Sequence, residues 1–348
     1  MDRGLFLNLA RRGIRFPIAT DLALHEHRDP EGVRRDPAEL GRVIARSAAR
    51  WRCPLAVPLM DLRLEKADLL NAFGVPEEQA ESFHLTERPP ASLPPRLFLP
   101  AHAAAIGAIR WIAEHTALVP AGMTIGPFSL LTRLLADPIT PLALLARGLD
   151  EHDDPAIGIA RRARQLASET VERSVDAQLR AGAQAVMVCE PSASTAYLSP
   201  RQMRAGSTLF EDFVLRPNRA LRDRIHAGGA LLFFHNCGEL TEGMVRAFGH
   251  DLHPEVLSLG SSRDLAADAA LVPADVVLYG NLPTRRFYSD GALPGAEVRR
   301  LTAGLIARMR AGGHAHIPGS ECDVLHVPGA SETILAKLDI LMSAEPGD

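Results

Sequence analysis

Short apolar runs of strand length recur along this chain, and longer amphipathic stretches lie between most of them. The runs are RFPIATD (15–21), PLAVPLMD (54–61), AGMTIGP (121–127), AQAVMVCE (183–190), ALLFFHNCG (230–238), EVLSLG (255–260), DVVLYGN (275–281) and HAHIPG (314–319). Each is apolar on both faces and bounded by Gly, Pro or Asp, the pattern of strands buried on two sides. Helical periodicity occupies PAELGRVIARSAARW (37–51), AHAAAIGAIRWIAEHT (101–116), ARRARQLASETVERSVDAQLRAG (160–182) and GAEVRRLTAGLIARMRAGG (295–313). The last two end at glycines, which suit helix C-termini. Eight strands alternating with helices predict an α/β fold whose parallel sheet closes as a (β/α)8 TIM barrel. A length of 348 residues suits one such domain over 1–348, because α/β barrels run long. The segment ERPPASLPPRLFLP (87–100) is too rich in proline for an interior helix or a central strand. It is expected to be a loop within that domain, since candidate strands lie on both sides of it. The tail SAEPGD (343–348) is expected to fray.

Composition excludes several classes of function. Hydrophobic residues at 47% and charged residues at 23% allow a sizeable core. The net charge of −4 argues against nucleic acid as a partner, because phosphate backbones select a basic excess. No run approaches the roughly 20 apolar residues of a membrane span. The start, MDRGLFLNLARRGIRF, lacks an apolar core followed by a small-residue cleavage site, so no signal peptide is expected. Four dispersed cysteines are too few for a disulfide scaffold. These features predict a cytoplasmic chain with reduced thiols free to bind metal.

In a barrel the functional site forms at the C-terminal ends of the strands. Reading each run to its end gives Asp21, Asp61, Gly126, Glu190, His235-Asn236-Cys237, Gly260 and Asn281, with Cys322 just beyond the eighth. The opposite ends carry no such cluster. On an extended segment residues i and i+2 point the same way, so His235 and Cys237 direct an imidazole and a sulfur at one point. Both donors suit Zn(II), and Cys322 would arrive at the same mouth as a third ligand. Three protein ligands with an open position is the catalytic zinc pattern. Glu190 could fill that position at rest. Taken alone, a His-x-Cys pair fits a buried packing role as well as a ligand role.

Cys53 precedes a strand and Cys189 sits within one, so both read as core or helix-facing residues. His314 and His316 alternate with apolar residues and read as structural. His25 and His27 follow the first run, with nothing to fix their geometry. Asp251-Leu252-His253 would need glycine at 256 to match a cobalamin-binding loop, and Val256 stands there, so no built-in corrinoid module is expected. Neither a phosphate loop nor a dinucleotide Gly-x-Gly-x-x-Gly follows a strand.

PLMD with Glu65 after it, GPFSLL (126–131), CEPSASTAYLSP (189–200), FHNCG (234–238), YGNLPT (279–284) and SECDVLHVPG (320–329) stand in this order along the chain. Together they resemble the uroporphyrinogen decarboxylase superfamily, specifically its corrinoid-linked methyltransferase branch. That branch includes methylcobalamin:coenzyme M methyltransferases and bacterial demethylating methyltransferases. The resemblance implies a (β/α)8 barrel with zinc on His235, Cys237 and Cys322. It also implies a partner protein carrying the corrinoid (cobalamin), and a small-molecule methyl donor or thiol acceptor. Glu190 would then act as resting ligand or proton shuttle, while Asp21, Asp61, Gly126 and Asn281 would bind or orient substrate. The porphyrin decarboxylases carry an Arg-rich loop after the first strand. Here that stretch reads FPIATDLALHEH, with no Arg until Arg28. The expected activity is therefore zinc-dependent methyl transfer, with a metal-free decarboxylase as the alternative and a non-catalytic barrel as a more distant third.

Overall fold

A computed structural model describes residues 4–90, 92 and 98–347. Seven strands form one parallel sheet in sequential order: β1 (Leu55–Ala56), β2 (Val119–Ile125), β3 (Ala185–Cys189), β4 (Leu231–Asn236), β5 (Val256–Leu259), β6 (Val277–Tyr279) and β7 (His316–Ile317). Helices lie between successive strands, so the architecture is α/β with a curled parallel sheet. In the register, Ile125, Cys189, His235, Ser258, Tyr279 and Ile317 are successive partners across β2 to β7. Neighbours in a parallel register point the same way, so this row forms one layer near the C-terminal ends of the strands.

Local chemistry sets the helix boundaries. The helix Pro37–Arg50 starts after Asp36, whose carboxylate accepts from Ala38 N and Glu39 N, with Pro37 in the first turn. Asp154 and Pro155 open the helix Pro155–Arg180 in the same way, five residues earlier than the apolar pattern indicates. The helix Gly295–Gly312 stops at Gly313, which takes the left-handed conformation (φ 67°) that glycine tolerates.

The first expected strand, 15–21, belongs to no β-ladder. Pro17 has no N–H to donate, and residues Thr20–Leu24 turn into a short helix. Segment 14–19 is instead attached beside the end of β7. Phe16 N donates to Pro318 O (3.3 Å), Val324 N donates to Ile18 O (2.7 Å) and Ile18 N donates to Ser320 Oγ (3.0 Å). On the β1 side, Thr20 Oγ1 donates to Val57 O (2.6 Å). Of the eight expected strands, seven pair in one curled parallel sheet, and the first is an extended segment outside the ladder. The buried Tyr279 hydroxyl donates to Phe16 O (2.8 Å). Gly319 leaves room for it, because a Cβ there would lie 2.3 Å from the Tyr279 ring. In the Pro-rich stretch, 91 and 93–97 lie outside the described residues, as does residue 348 of the tail.

Candidate metal centre

β4 carries His235 at the C-terminal end of the sheet, and Cys237 follows one residue after the strand ends. The chain beyond β7 brings Cys322 to them. One donor atom from each of these residues lies within 4.8 Å of the others. A tetrahedral ion bound at about 2.0–2.3 Å would place such donors roughly 3.3–3.8 Å apart, so a small contraction closes the group. His235 is buried, and its Nδ1 is 2.8 Å from Ser258 Oγ on β5. Its Nε2 is buried with no hydrogen-bond partner. A buried orphan nitrogen needs a reason, and with two adjacent sulfurs and a ring held through its other nitrogen the residues form a donor set that fits a metal ion. The hydrogen bond from Cys237 comes first in pushing the Cys322 thiol well below its ordinary range, against burial, with further help from His235 and Arg285. Cys237 is pushed up, first by that same bond and then by burial. Arg285 Nη2 lies 3.3 Å from Cys237 Sγ.

The other expected site residues surround this group in different ways. Glu190 is fully buried and tied down: Oε2 accepts from Phe128 N (3.2 Å) and Asn218 Nδ2 (3.0 Å), and Oε1 accepts from Ser129 N. Burial pushes its carboxyl up, against those donors. Gly126 makes room for it, since a Cβ at 126 would lie 2.2 Å from the Glu190 carboxylate. Asp21 and Asp61 line a cavity of about 310 Å3 together with Arg34 and Asp323, the residue after Cys322. Asp21 accepts from Arg34 Nη2 (3.1 Å) and His326 N (2.8 Å). Asp61 takes a two-pronged bond from Arg63, at 2.8 and 2.7 Å. Burial raises the Asp61 carboxyl, but these bonds and the Arg63 charge outweigh it and hold the group below its ordinary range. Asn281 donates to Gly260 O and Arg263 O, both at 2.8 Å, and so ties the loop after β6 to the loop after β5.

Cys189 is wholly buried in register with His235, and Cys53 is buried with its thiol pushed up to about 12 by desolvation. His314 and His316 contact backbone carbonyls, Val276 O (2.9 Å) and Gly280 O (2.7 Å). His25 stacks on His326, their ring centres 4.5 Å apart. Glu65 is a buried acceptor for Thr124 and Ser174. Sequence reasoning missed Ser258, Arg285, Arg34 and Asp323. Ser258 left a signal, as the lone polar residue in the apolar run VLSL. The others act from loops or helix ends, whose placement depends on tertiary folding.

Among solved structures, this chain is similar to a methyltransferase from Methanosarcina mazei. The identity is 15%, the match covers 97% of this chain and 98% of that one, and the TM-score is 0.66. At that identity the likeness is one of fold. A 3-keto-D-glucoside 4-epimerase from E. coli matches at 14% identity over 74% of this chain and 98% of its own, but a TM-score of 0.35 is too low to carry an inference. No curated protein sequence matches. The model of the family described as uroporphyrinogen decarboxylase (URO-D) matches residues 87–328. That span includes β2 to β7 and all three members of the metal-capable group, and the chain therefore belongs to the uroporphyrinogen decarboxylase family.

Proposed function

We propose that this chain is a zinc-dependent methyltransferase that moves a methyl group between a small-molecule substrate and the corrinoid (cobalamin) of a partner protein. The observation that carries the reading is the buried, partnerless Nε2 of His235 facing two cysteine sulfurs at the C-terminal end of the sheet. A methyltransferase of similar fold adds support. So does the stretch that follows segment 14–19, which has no Arg before Arg28, where the resemblance gives porphyrin decarboxylases an Arg-rich loop. Zinc bound there would supply a Lewis acid that lowers the pKa of a substrate thiol or polarises the heteroatom of a methyl donor.

The chain's own groups prepare that chemistry. Ser258 holds the ring of His235 so that Nε2 faces the sulfurs. The Arg285 guanidinium beside Cys237 favours the thiolate forms that soft metals select. Asp21 and Asp61, in the cavity beside Cys322, orient the substrate. Glu190 and Gly126 fix the rim between β2 and β3, and Asn281 fixes the rim between β5 and β6. In the same reading the whole chain is one (β/α)8 barrel, closed by segment 14–19 and working in the cytoplasm.

Elemental analysis and methylcobalamin spectroscopy on the purified chain test this. One zinc per chain and a spectral change on adding thiols or methyl donors are expected. His235→Ala and Cys322→Ala should each lose both, with circular dichroism unchanged. Stoichiometric zinc in both variants would refute the assignment.

A further inference from the structure

Away from the His–Cys group, a second concavity of about 580 Å3 opens between the helix Pro155–Arg180 and the segment leading into the helix Arg216–Ala227. Five arginines line it, at 88, 161, 162, 164 and 216, against one carboxylate, Asp212. On a chain whose net charge is −4, such a concentration of one sign is local and directed. Arg216 pairs with Asp212 (2.8 Å), and Arg88 pairs with Glu151 (3.2 Å). The other three have no carboxylate partner among the described residues. Arg162 is 8% exposed; its Nε donates to Pro90 O (2.7 Å), and its Nη2 has no partner. Arg164 donates through Nη1 to Asp212 O (2.8 Å), lies over the Phe213 ring, and leaves Nε unpartnered. Arg161 is exposed on the same stretch of helix and makes no hydrogen bond or ion pair among the described residues.

A solvated helix face normally intersperses opposite charges three or four residues apart. Here arginines 161, 162 and 164 converge on a hollow with Arg216 opposite. Burial comes first in pressing the Arg164 guanidinium below its ordinary range. Asp212 pulls the other way, and the charges of Arg216 and Arg161 press with burial. Like charges held together around a hollow are stabilised by an occupant of opposite charge. Arginine forks match phosphate oxygens two at a time. The volume lies within the roughly 300–1,000 Å3 of small-ligand sites. Leu145, Leu149 and Phe213 supply an apolar wall that a planar group can lie against.

We propose that this concavity is a second ligand site, for a phosphate-bearing small molecule of about nucleotide size. The helix carrying Arg161 to Arg164 follows β2 and runs back toward the start of β3. Its first turns therefore lie at the same end of the sheet as the His–Cys group. The site does not depend on the methyl-transfer reading, because none of its residues belongs to the metal-capable group.

Isothermal titration of the full chain with ATP, and separately with inorganic pyrophosphate, tests the assignment. Saturable one-to-one binding of ATP is expected, weakening as salt rises. Arg161→Glu and Arg164→Gln should each weaken it at least tenfold. Arg161 is exposed and partnerless, so its substitution leaves the fold intact. Cys322→Ala and the remote Arg42→Glu should bind like the unaltered chain, which separates this site from the metal centre and from general surface charge. Pyrophosphate binding as tightly as ATP assigns the affinity to the phosphate chain; weaker pyrophosphate binding assigns part of it to the apolar wall. No saturable binding of either probe, or equal affinity in the two arginine variants and the unaltered chain, overturns the proposal.

Discussion

Strands β3, β4 and β5 run for five, six and four residues, while β1 and β7, at the two edges of the sheet, run for two each. Proline marks the two edges, although the seven-residue β2 keeps Pro120 inside its ladder. Pro54 and Pro58 bracket β1, Pro318 follows β7, and Pro17 lies in the segment between them, and each removes a ladder donor. The central strands are held by continuous backbone pairing. The seam is held by scattered bonds through Tyr279, Ser320 and Thr20. His235 and Cys237 come from the centre, and Cys322 comes from the seam side. The metal-capable group therefore spans the most and least regularly paired parts of the sheet, and its geometry depends on both.

The largest expected effect falls on the central side. Glu190→Ala removes the acceptor for Phe128 N, Ser129 N and Asn218 Nδ2 in a fully buried place. Each stranded donor costs about 1–3 kcal/mol, so a loss of about 3–5 kcal/mol is expected. Urea denaturation followed by fluorescence reads this as a lower midpoint at unchanged slope. A loss below about 1 kcal/mol would show that the rim between β2 and β3 does not depend on this carboxylate.

Acid should then act on the seam. His316 on β7 is buried, with Nε2 against Gly280 O, and burial pushes its pKa from 6.5 down to about 4. Between those two values the unfolded chain binds the proton and the folded chain does not. Stability from this group is therefore complete above pH 6.5 and falls as pH drops toward 4, by up to about 3 kcal/mol. Denaturation midpoints at pH 7.5, 6 and 5 should decline, and His316→Asn should flatten that part of the decline. An unchanged slope in the variant would remove His316 as the cause.

The same contrast explains what was legible in the sequence. The runs at 183–190, 230–238, 255–260 and 275–281 contain the observed strands, because burial on both faces leaves an unbroken apolar signature, whereas the run at 121–127 misses the first two residues of β2, Val119 and Pro120. The run at 15–21 carries that signature too, yet its proline and the helical turn at Thr20 withhold it from the ladder. Apolar pattern reports burial, and pairing needs donors as well. At the site, His235, Cys237 and Cys322 were legible because few residue types bind soft metals, because His235 and Cys237 stand two apart at a strand end, and because their order matches the resemblance. Arg285 and Arg34 were not, since an arginine reads the same on a solvated face as against a thiolate. Glu190 was legible as a conspicuous acid at a strand end. Its backbone donors belong to the helix after β2, and only the fold brings them there.

The smallest expected effect divides centre from seam most finely. The Tyr279 hydroxyl reaches from β6 to Phe16 O, and Ser320 Oγ lies 3.4 Å from it while accepting from Ile18 N. Tyr279→Phe keeps the packed ring and deletes one buried bond, leaving Phe16 O short of a donor at a cost of about 1–2 kcal/mol. That cost should be local, because among the described residues β3 to β5 share no hydrogen bond with segment 14–19. Hydrogen exchange should therefore quicken in 14–19 and 318–324, with β4 unchanged. Cys322 lies in the loosened stretch and His235 outside it, so zinc affinity should drop a few-fold while Ser258 still orients the imidazole. Equal acceleration in β4 would mean that the sheet opens as one unit, and that its short, proline-flanked edges are no weaker than its middle.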